Sequence, residues 1–300
     1  MAASAALTDI AVGVRWLRQA GVETVVILGN SGGASLMSAY QAERAGTPDA
    51  GDLFVSLCAH PGRPDVLTAW LDPSVTDESD PSRWTAIWTC TIRKTGRRTT
   101  RSSSLDTARL SGTATNGSPH GLGRLQAAGA TDRLFNVPRT WADPRFLDLT
   151  LEPTDRPPGC YRGDPRRANY GSSGLAASCT LRGWMSMWSL STSPCRAELH
   201  LPRITHSALI IQSAADQGVY PSDARAIHAG LASTDRTLAM VAGDHYLIEP
   251  PGARQATAEL IAEWIGARTL GHGRPTFSAG AVEPRLRRVG LLRKRRRDDR

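Results

Sequence analysis

Apolar residues recur along the chain in two patterns, which predict helices alternating with buried strands. A first helix is predicted over about 8–20 and is ended by Gly21. Its apolar stripe consists of Ile10, Val14 and Leu17. The next apolar run covers 22–28 and shows no alternation of polar and apolar residues. Such a run predicts a parallel strand that is buried on both faces.

Further strands and helices follow along the chain and indicate a parallel sheet. Further strands are predicted at 53–57, 208–212 and 237–241. Further helices are predicted at 34–44, 222–231 and 253–267, the last with Leu260, Ile261, Trp264 and Ile265 facing inward. Strands that alternate with helices are typical of an α/β fold with a parallel sheet. We therefore predict a partial doubly wound sheet.

The stretch between the strands predicted at 53–57 and 208–212 does not follow this alternation of strands and helices. It is rich in Trp, Pro and Arg, and we interpret it as a cap inserted above the sheet. The predicted organisation is a hydrolase-like core formed by 1–60 and 205–268, a cap at 61–204, and a basic disordered tail at 269–300.

A short glycine-rich motif lies between the first predicted strand and the second helix. Its sequence, Gly29-Asn30-Ser31-Gly32-Gly33, matches G-x-S-x-G. In a strand–turn–helix context this motif is a nucleophile elbow, which exposes the serine on a strained turn. Glycines are needed because a Cβ would collide with the strand or the helix. The backbone N–H of Gly32 is predicted to donate to a developing oxyanion. A phosphate-binding loop is the alternative, but the motif lacks a P-loop Lys-Ser/Thr and does not fit G-x-G-x-x-G.

A serine nucleophile needs a base and an acid, which follow it in the order Ser, Asp or Glu, His in this fold. Asp216 comes directly after the third core strand, and His245 comes 29 residues later, after the fourth. The carboxyl ends of parallel strands share one edge of the sheet, where sites form. We predict Ser31, Asp216 and His245 as the triad.

Several neighbouring residues are rivals or possible additions to this triad. Asp223 is the nearest rival for the acid, although it is better placed as a first-turn residue of a helix. His228 lies within a predicted helix and is a weaker candidate for the base. Asn30 and His60 are candidates for the pocket, although a histidine after a strand is more often structural.

The net charge of the chain is concentrated in two segments and does not by itself indicate a nucleic-acid-binding protein. The net charge is +8, but 281–300 carries +6 and 81–124 carries +7, which leaves −5 for the remainder. A nucleic-acid-binding face would spread its charge over folded elements, so such binding is not expected. No run is long and apolar enough to span a bilayer, and no signal peptide is visible.

Cysteine usage points to reduced thiols. The five cysteines form no CxxC pair and have no regular spacing; they are Cys58, Cys90, Cys160, Cys179 and Cys195. This pattern argues against a structural zinc site and favours a cytoplasmic location. We expect no metal and no cofactor.

Residues 8–79 and 125–268 resemble a bacterial α/β-hydrolase family. The resemblance rests on the elbow and on four further motifs: Ala59-His60-Pro61-Gly62-Arg63-Pro64, Trp70-Leu71-Asp72-Pro73-Ser74, Pro138-Arg139-Thr140-Trp141-Ala142-Asp143 and Gly243-Asp244-His245-Tyr246-Leu247. It implies a doubly wound sheet with a cap above the serine, and it supports the same triad.

The chain departs from this family in two places. Relatives of this kind carry several strands upstream of the elbow, together with a loop that supplies the second oxyanion donor. Here about one helix precedes the elbow strand, so we expect an incomplete sheet and oxyanion hole.

The other departure is 84–123, which is crowded with Arg, Thr, Ser and Gly. When its codons are read in a shifted frame, this segment can encode sequences such as Asp-Met-Tyr-Asp-Pro, which resemble the cap of the family. We interpret it as a local frameshift that yields irregular, exposed chain; a genuine disordered basic loop is the alternative.

These patterns predict a serine hydrolase that acts on a small ester or other acyl substrate, unless the chain is an inactive fragment of such an enzyme. An acyltransferase could use the same triad. A non-catalytic binding protein that uses the basic residues of 293–297 is the competing class.

Overall fold

The computed structural model describes residues 2–72, 132–171 and 174–269. Its main sheet has four parallel strands in the order β1-β2-β5-β6, and a second sheet pairs β3 with β4 in antiparallel orientation. The strands are β1 Val26–Asn30, β2 Leu53–Leu57, β3 Leu134–Asn136, β4 Ser178–Thr180, β5 Ser207–Ser213 and β6 Arg236–Val241.

Seven α-helices connect or cover these strands within the described ranges. They are α1 Ala2–Gln19, α2 Gly33–Arg44, α3 Arg63–Trp70, α4 Pro165–Ala168, α5 Leu181–Met187, α6 Pro221–Gly230 and α7 Ala253–Thr269. Short 3₁₀ turns occur at Pro144–Phe146, Ala197–Leu199 and Leu201–Arg203.

Helices cover both faces of the main sheet. On one face α1, α2 and α6 pack against the sheet in a cluster that includes Val14, Tyr40, Phe54, Ile210 and Ile227. On the other face α7 covers Val55, Leu209 and Ile211 with its buried Trp264 and with Leu260, Ile261 and Ile265. The predicted α/β class with a partial, doubly wound parallel sheet is confirmed, and the architecture agrees with the α/β-hydrolase resemblance.

The first strand differs from its prediction. It was expected at 22–28 and buried on both faces, whereas β1 begins at Val26 and its Leu28 side chain is 40% exposed. The shift has a local cause, because the N–H groups of Gly21 and Val22 donate to carbonyls of the last turn of α1 and so belong to the end of that helix. The exposure follows from topology, because β1 is the edge strand of the described sheet and pairs only with β2.

The region predicted as a cap contains an aromatic cluster. Trp70, Trp141, Phe146 and Tyr161 pack with ring centroids 4.8–6.0 Å apart. The division into core and cap stays a prediction. The segment 84–123, and the tail beyond Thr269, lie outside the described residues. None of the described helices combines the length and apolar character that crossing a membrane requires.

Candidate functional site

The elbow motif forms a sharp turn between β1 and α2. Ser31 adopts a positive φ of 52°, a conformation that side-chain-bearing residues rarely take. Two backbone hydrogen bonds hold the turn: the Ser31 N–H donates to the Leu57 carbonyl over 3.0 Å, and the Ala34 N–H donates to the Ser31 carbonyl over 3.1 Å. The strain is therefore fixed from both sides, as a nucleophile elbow requires.

The glycines of the motif do not all have the same role. A Cβ on Gly29 would lie 2.3 Å from the Ala34 Cα, so only glycine lets the helix start this close to the strand. A Cβ on Gly33 would meet no atom within 4 Å. The steric argument made from the sequence therefore holds for Gly29 and is wrong for Gly33.

We expect Gly29→Ala to destabilise the fold by about 1–3 kcal/mol, because the added methyl group meets backbone that cannot rotate away. Gly33→Ala is the matched control, and we expect it to be neutral or stabilising, since alanine is the better helix former. Urea unfolding of both variants measures this difference. Equal midpoints for the two variants would contradict the steric assignment.

The carboxylate of Asp216 lies just beyond the end of β5 and is 2% exposed. Its Oδ1 accepts the backbone N–H groups of Gly218 and Val219, each over 2.9 Å. Its Oδ2 lies 2.7 Å from His245 Nδ1. Both oxygens of the carboxylate are thus used, one to fix the loop and the other to hold the imidazole.

His245 follows β6 and is 8% exposed. Tyr161, from the region predicted as a cap, stacks on its ring with centroids 4.1 Å apart and an interplanar angle of 27°. The Tyr246 ring meets it nearly edge-on at 5.1 Å. With Nδ1 bound to Asp216, Nε2 is the nitrogen that remains for proton transfer.

The structure joins the predicted acid to the predicted base, but it does not join the base to the serine. Within the described ranges, no hydrogen bond links the Ser31 hydroxyl to His245. All three residues nevertheless follow the carboxyl ends of strands of one parallel sheet. Catalytic hydrogen bonds are often long in unliganded enzymes and shorten when substrate binds. The role of each residue therefore stays a prediction.

Replacing the acid tests the orientation of the base. In Asp216→Asn the amide oxygen can still accept the loop N–H groups, but the NH₂ group faces His245 Nδ1 and moves the imidazole proton to Nε2. That tautomer cannot accept a proton from serine, so we expect activity to fall about 10³- to 10⁴-fold. Steady-state kinetics on an ester substrate measures the loss.

Asp223 supplies the matched control for this experiment. Its carboxylate accepts the Tyr220 N–H over 2.9 Å in the first turn of α6, whereas the hydrogen bond of His245 Nδ1 is with Asp216. Burial raises the pKa of Asp223 to about 6. We expect Asp223→Asn to change the rate less than about tenfold, since the loss of a single helix cap acts on stability. If Asp223→Asn were the more damaging substitution, Asp216 would not be the acid.

The remaining predicted site residues occupy different environments. Gly32 immediately precedes α2, and its N–H donates to no other group of the described part of the chain. Asn30 is exposed, and its amide donates to the Leu57 carbonyl over 3.1 Å, so its side chain bridges β1 and β2. His60 is buried, and its Nε2 would lie 3.3 Å from a Cβ on Gly32.

The environment of His60 makes it a poor base. Burial, assisted by the positive charge of Arg63 and by electrostatic interaction with the neighbouring His245, lowers the pKa of its imidazole to about 3. It is therefore neutral at physiological pH, and its basicity is far below the optimum for a general base near pH 7.

Sequence reasoning missed two residues of this neighbourhood. Tyr161 stacks on His245 from a distant part of the chain, and no local pattern marks it. Arg63 donates through Nε to the Gly32 carbonyl over 3.0 Å. A signal for Arg63 did exist, because Gly-Arg-Pro follows the strand that pairs with the elbow strand and opens the next helix.

The described residues contain no evident metal site. Within 2–72, 132–171 and 174–269, no three His, Cys, Asp or Glu side chains cluster in a way that could hold an ion. The four cysteines in these ranges are free thiols, and burial raises the pKa of Cys58 to about 11. Thiolate chemistry at Cys58 is therefore disfavoured near neutral pH.

No protein-family model and no curated protein sequence matches the chain. Several solved structures are similar. A monoacylglycerol lipase of Paleococcus ferrophilus is 17% identical, with a TM-score of 0.45 over 88% of this chain and 74% of the lipase chain. The esterase domain of a Rhodothermus marinus protein is 11% identical, with a TM-score of 0.41 over 86% and 67% of the two chains. One of two metagenome-derived lipolytic enzymes is 15% identical, with a TM-score of 0.40 over 87% and 72%. Similarity of this size carries no argument about activity, so the chemistry has to be argued from the residues of the site.

Proposed function

We propose that the chain is a serine hydrolase of the α/β-hydrolase fold, acting on a small ester or related acyl substrate. The observation that carries the proposal is the buried Asp216–His245 pair, with 2.7 Å between Oδ2 and Nδ1. It lies at the same edge of the sheet as Ser31, whose φ of 52° marks a nucleophile elbow. Strained serine turns and carboxylate–imidazole pairs each occur elsewhere, but their combination in the order Ser, Asp, His is specific.

The proposed reaction begins with attack of Ser31 Oγ on the carbonyl carbon. His245 Nε2 takes the hydroxyl proton, while Asp216 holds the Nδ1–H and stabilises the imidazolium that forms. The Gly32 N–H donates to the oxyanion of the tetrahedral intermediate. The imidazolium then returns the proton to the leaving alcohol, which departs and leaves an acyl group on Ser31. Water, deprotonated by His245, releases the acid and regenerates the serine.

Hydrolysis of 4-nitrophenyl butyrate tests this function. We expect nitrophenolate and free butyrate to appear in equal amounts, at a rate well above that of the Ser31→Ala protein. Adding an alcohol acceptor distinguishes the acyltransferase alternative, because transfer would lower the yield of free butyrate and form the new ester instead. Equal rates for the two proteins would refute a serine mechanism at Ser31.

A further inference from the structure

Arg63 lies directly beside the elbow and is held there by its own backbone and side chain. It is the first residue of α3, and its N–H donates to the Cys195 carbonyl over 3.1 Å. Its side-chain Nε donates to the Gly32 carbonyl over 3.0 Å. A Cβ on Gly32 would lie 3.2 Å from this Nε. The guanidinium is therefore positioned next to the residue that follows the nucleophile.

The Arg63 guanidinium has no acidic partner among the described residues, in contrast to three other arginines of the chain. Arg139 pairs with Asp72 over 2.7 Å, Arg145 with Asp143, and Arg196 with Asp65. Across the described residues, Arg63 forms no salt bridge. The side chain is half-buried, and this partial desolvation lowers the pKa of the guanidinium. A desolvated charge without a counter-ion is costly, and an anion that binds beside it recovers that cost.

The groups around Arg63 do not compensate its charge. His60 approaches the same glycine and stays neutral, because burial lowers its pKa to about 3. Asp216 is already committed to two backbone N–H groups and to His245. The Trp188 ring lies 5.7 Å from the Arg63 Cζ, within range of a cation–π contact. A positive group thus borders the elbow, and no acidic side chain of the described residues forms a salt bridge with it.

The geometry of the side chain leaves its two terminal nitrogens for a ligand. Because Nε is used on the Gly32 carbonyl, the Nη1 and Nη2 groups remain, and these can donate in parallel to the two oxygens of one carboxylate. A substrate bound at Ser31 and at the Gly32 N–H would lie beside the residue whose carbonyl Arg63 holds.

We propose that Arg63 is an anion-recognition residue of this site, and that the preferred substrate is an ester bearing a free carboxylate. The inference rests on the proposed function, because it names the class of substrate for the same serine. The carboxylate accepts two hydrogen bonds from Nη1 and Nη2 while the ester carbonyl lies at Ser31. Neutral esters of equal length bind without this contact and react more slowly.

Two isosteric esters test the proposal. The 4-nitrophenyl monoester of adipic acid carries a terminal carboxylate, and that of adipamic acid carries a neutral amide in its place. We expect the intact protein to favour the carboxylate by about 10- to 100-fold in kcat/KM. In Arg63→Met this preference should disappear, and in Arg63→Lys it should be intermediate, since an ammonium keeps the charge but loses the planar fork.

The preference, and not the absolute rate, is the readout, because Arg63 also holds the Gly32 carbonyl. A purely structural role would lower both rates together and leave their ratio unchanged, which would overturn the proposal. Arg196→Met is the control: it removes the same charge from a guanidinium already paired with Asp65, so the ratio should persist. If Arg63→Met does not fold, the ratio of kcat/KM for the two esters, measured in the intact protein and in Arg63→Lys, still tests the proposal.

The two proposals fail in distinguishable ways. If the intact protein hydrolyses neither ester faster than Ser31→Ala does, the proposed function fails, and the carboxylate preference fails with it. If it hydrolyses the neutral ester well and shows no preference for the acidic one, the hydrolase stands and the role of Arg63 is refuted.

Discussion

Ser31→Ala is expected to lower ester hydrolysis by at least about 10³-fold and to abolish labelling by a fluorophosphonate probe. In the proposed mechanism the substitution removes the atom that forms the acyl-enzyme, and because residues of a triad act as a unit, the loss of one removes most of the rate enhancement. The fold should survive, because the change deletes a single oxygen that makes no hydrogen bond to the described residues. Thermal unfolding should therefore change little while activity is lost.

Ser35→Ala provides the matched control for that experiment. Ser35 lies four residues away in α2, and its hydroxyl donates to the Gly32 carbonyl over 3.1 Å. We expect this variant to retain labelling and most of its activity, because its hydroxyl supports the turn without serving as the nucleophile. Labelling that persists in Ser31→Ala would place the nucleophile elsewhere.

His245→Gln is expected to reduce kcat/KM by at least about 10³-fold. The glutamine amide can still donate to Asp216, so the buried carboxylate keeps a partner, but it cannot accept the serine proton. The neighbouring stack on Tyr161, at 4.1 Å between centroids, makes some loss of stability an accompanying effect. Kinetics measured well below the unfolding temperature separate the two effects.

His60→Gln distinguishes this assignment from its nearest rival. A histidine whose pKa is lowered to about 3 holds its proton too weakly to remove one from serine near pH 7, so we expect a loss of less than about tenfold. If His60→Gln proved as damaging as His245→Gln, His60 would take part in the chemistry directly. A larger loss in His60→Gln than in His245→Gln would reverse the assignment of the base.

Local pattern was sufficient to predict most of the elements of the core. The second strand was expected at 53–57 and is observed as Leu53–Leu57. The last helix was expected to face inward through Trp264, which the structure buries completely against the sheet. Such features depend on residues close together in sequence, since periodicity and β-branched runs determine which face or segment can be buried. The glycine at position 29 is determined in the same way, by a turn of five residues.

Features that depend on distant parts of the chain were not available from the pattern. The apolar run that became β1 gave no sign that its Leu28 would be exposed, because exposure depends on which strands pair beside it. Nor could the sequence show that Tyr161 stacks on His245, since their separation in the chain exceeds any local period.

For the candidate site as well, some features follow from local sequence and others only from the tertiary structure. By itself the sequence determined the elbow, because strand, turn and helix are contiguous, and it placed Asp216 and His245 at strand ends. Only the tertiary structure decided that the Asp216 carboxylate contacts His245 while that of Asp223 serves the start of a helix. It alone placed the guanidinium of Arg63 against the Gly32 carbonyl without an acidic partner in the described residues. The physical reason is that hydrogen bonds and ion pairs act through space over about 3–4 Å, whereas sequence patterns report only on neighbours along the chain.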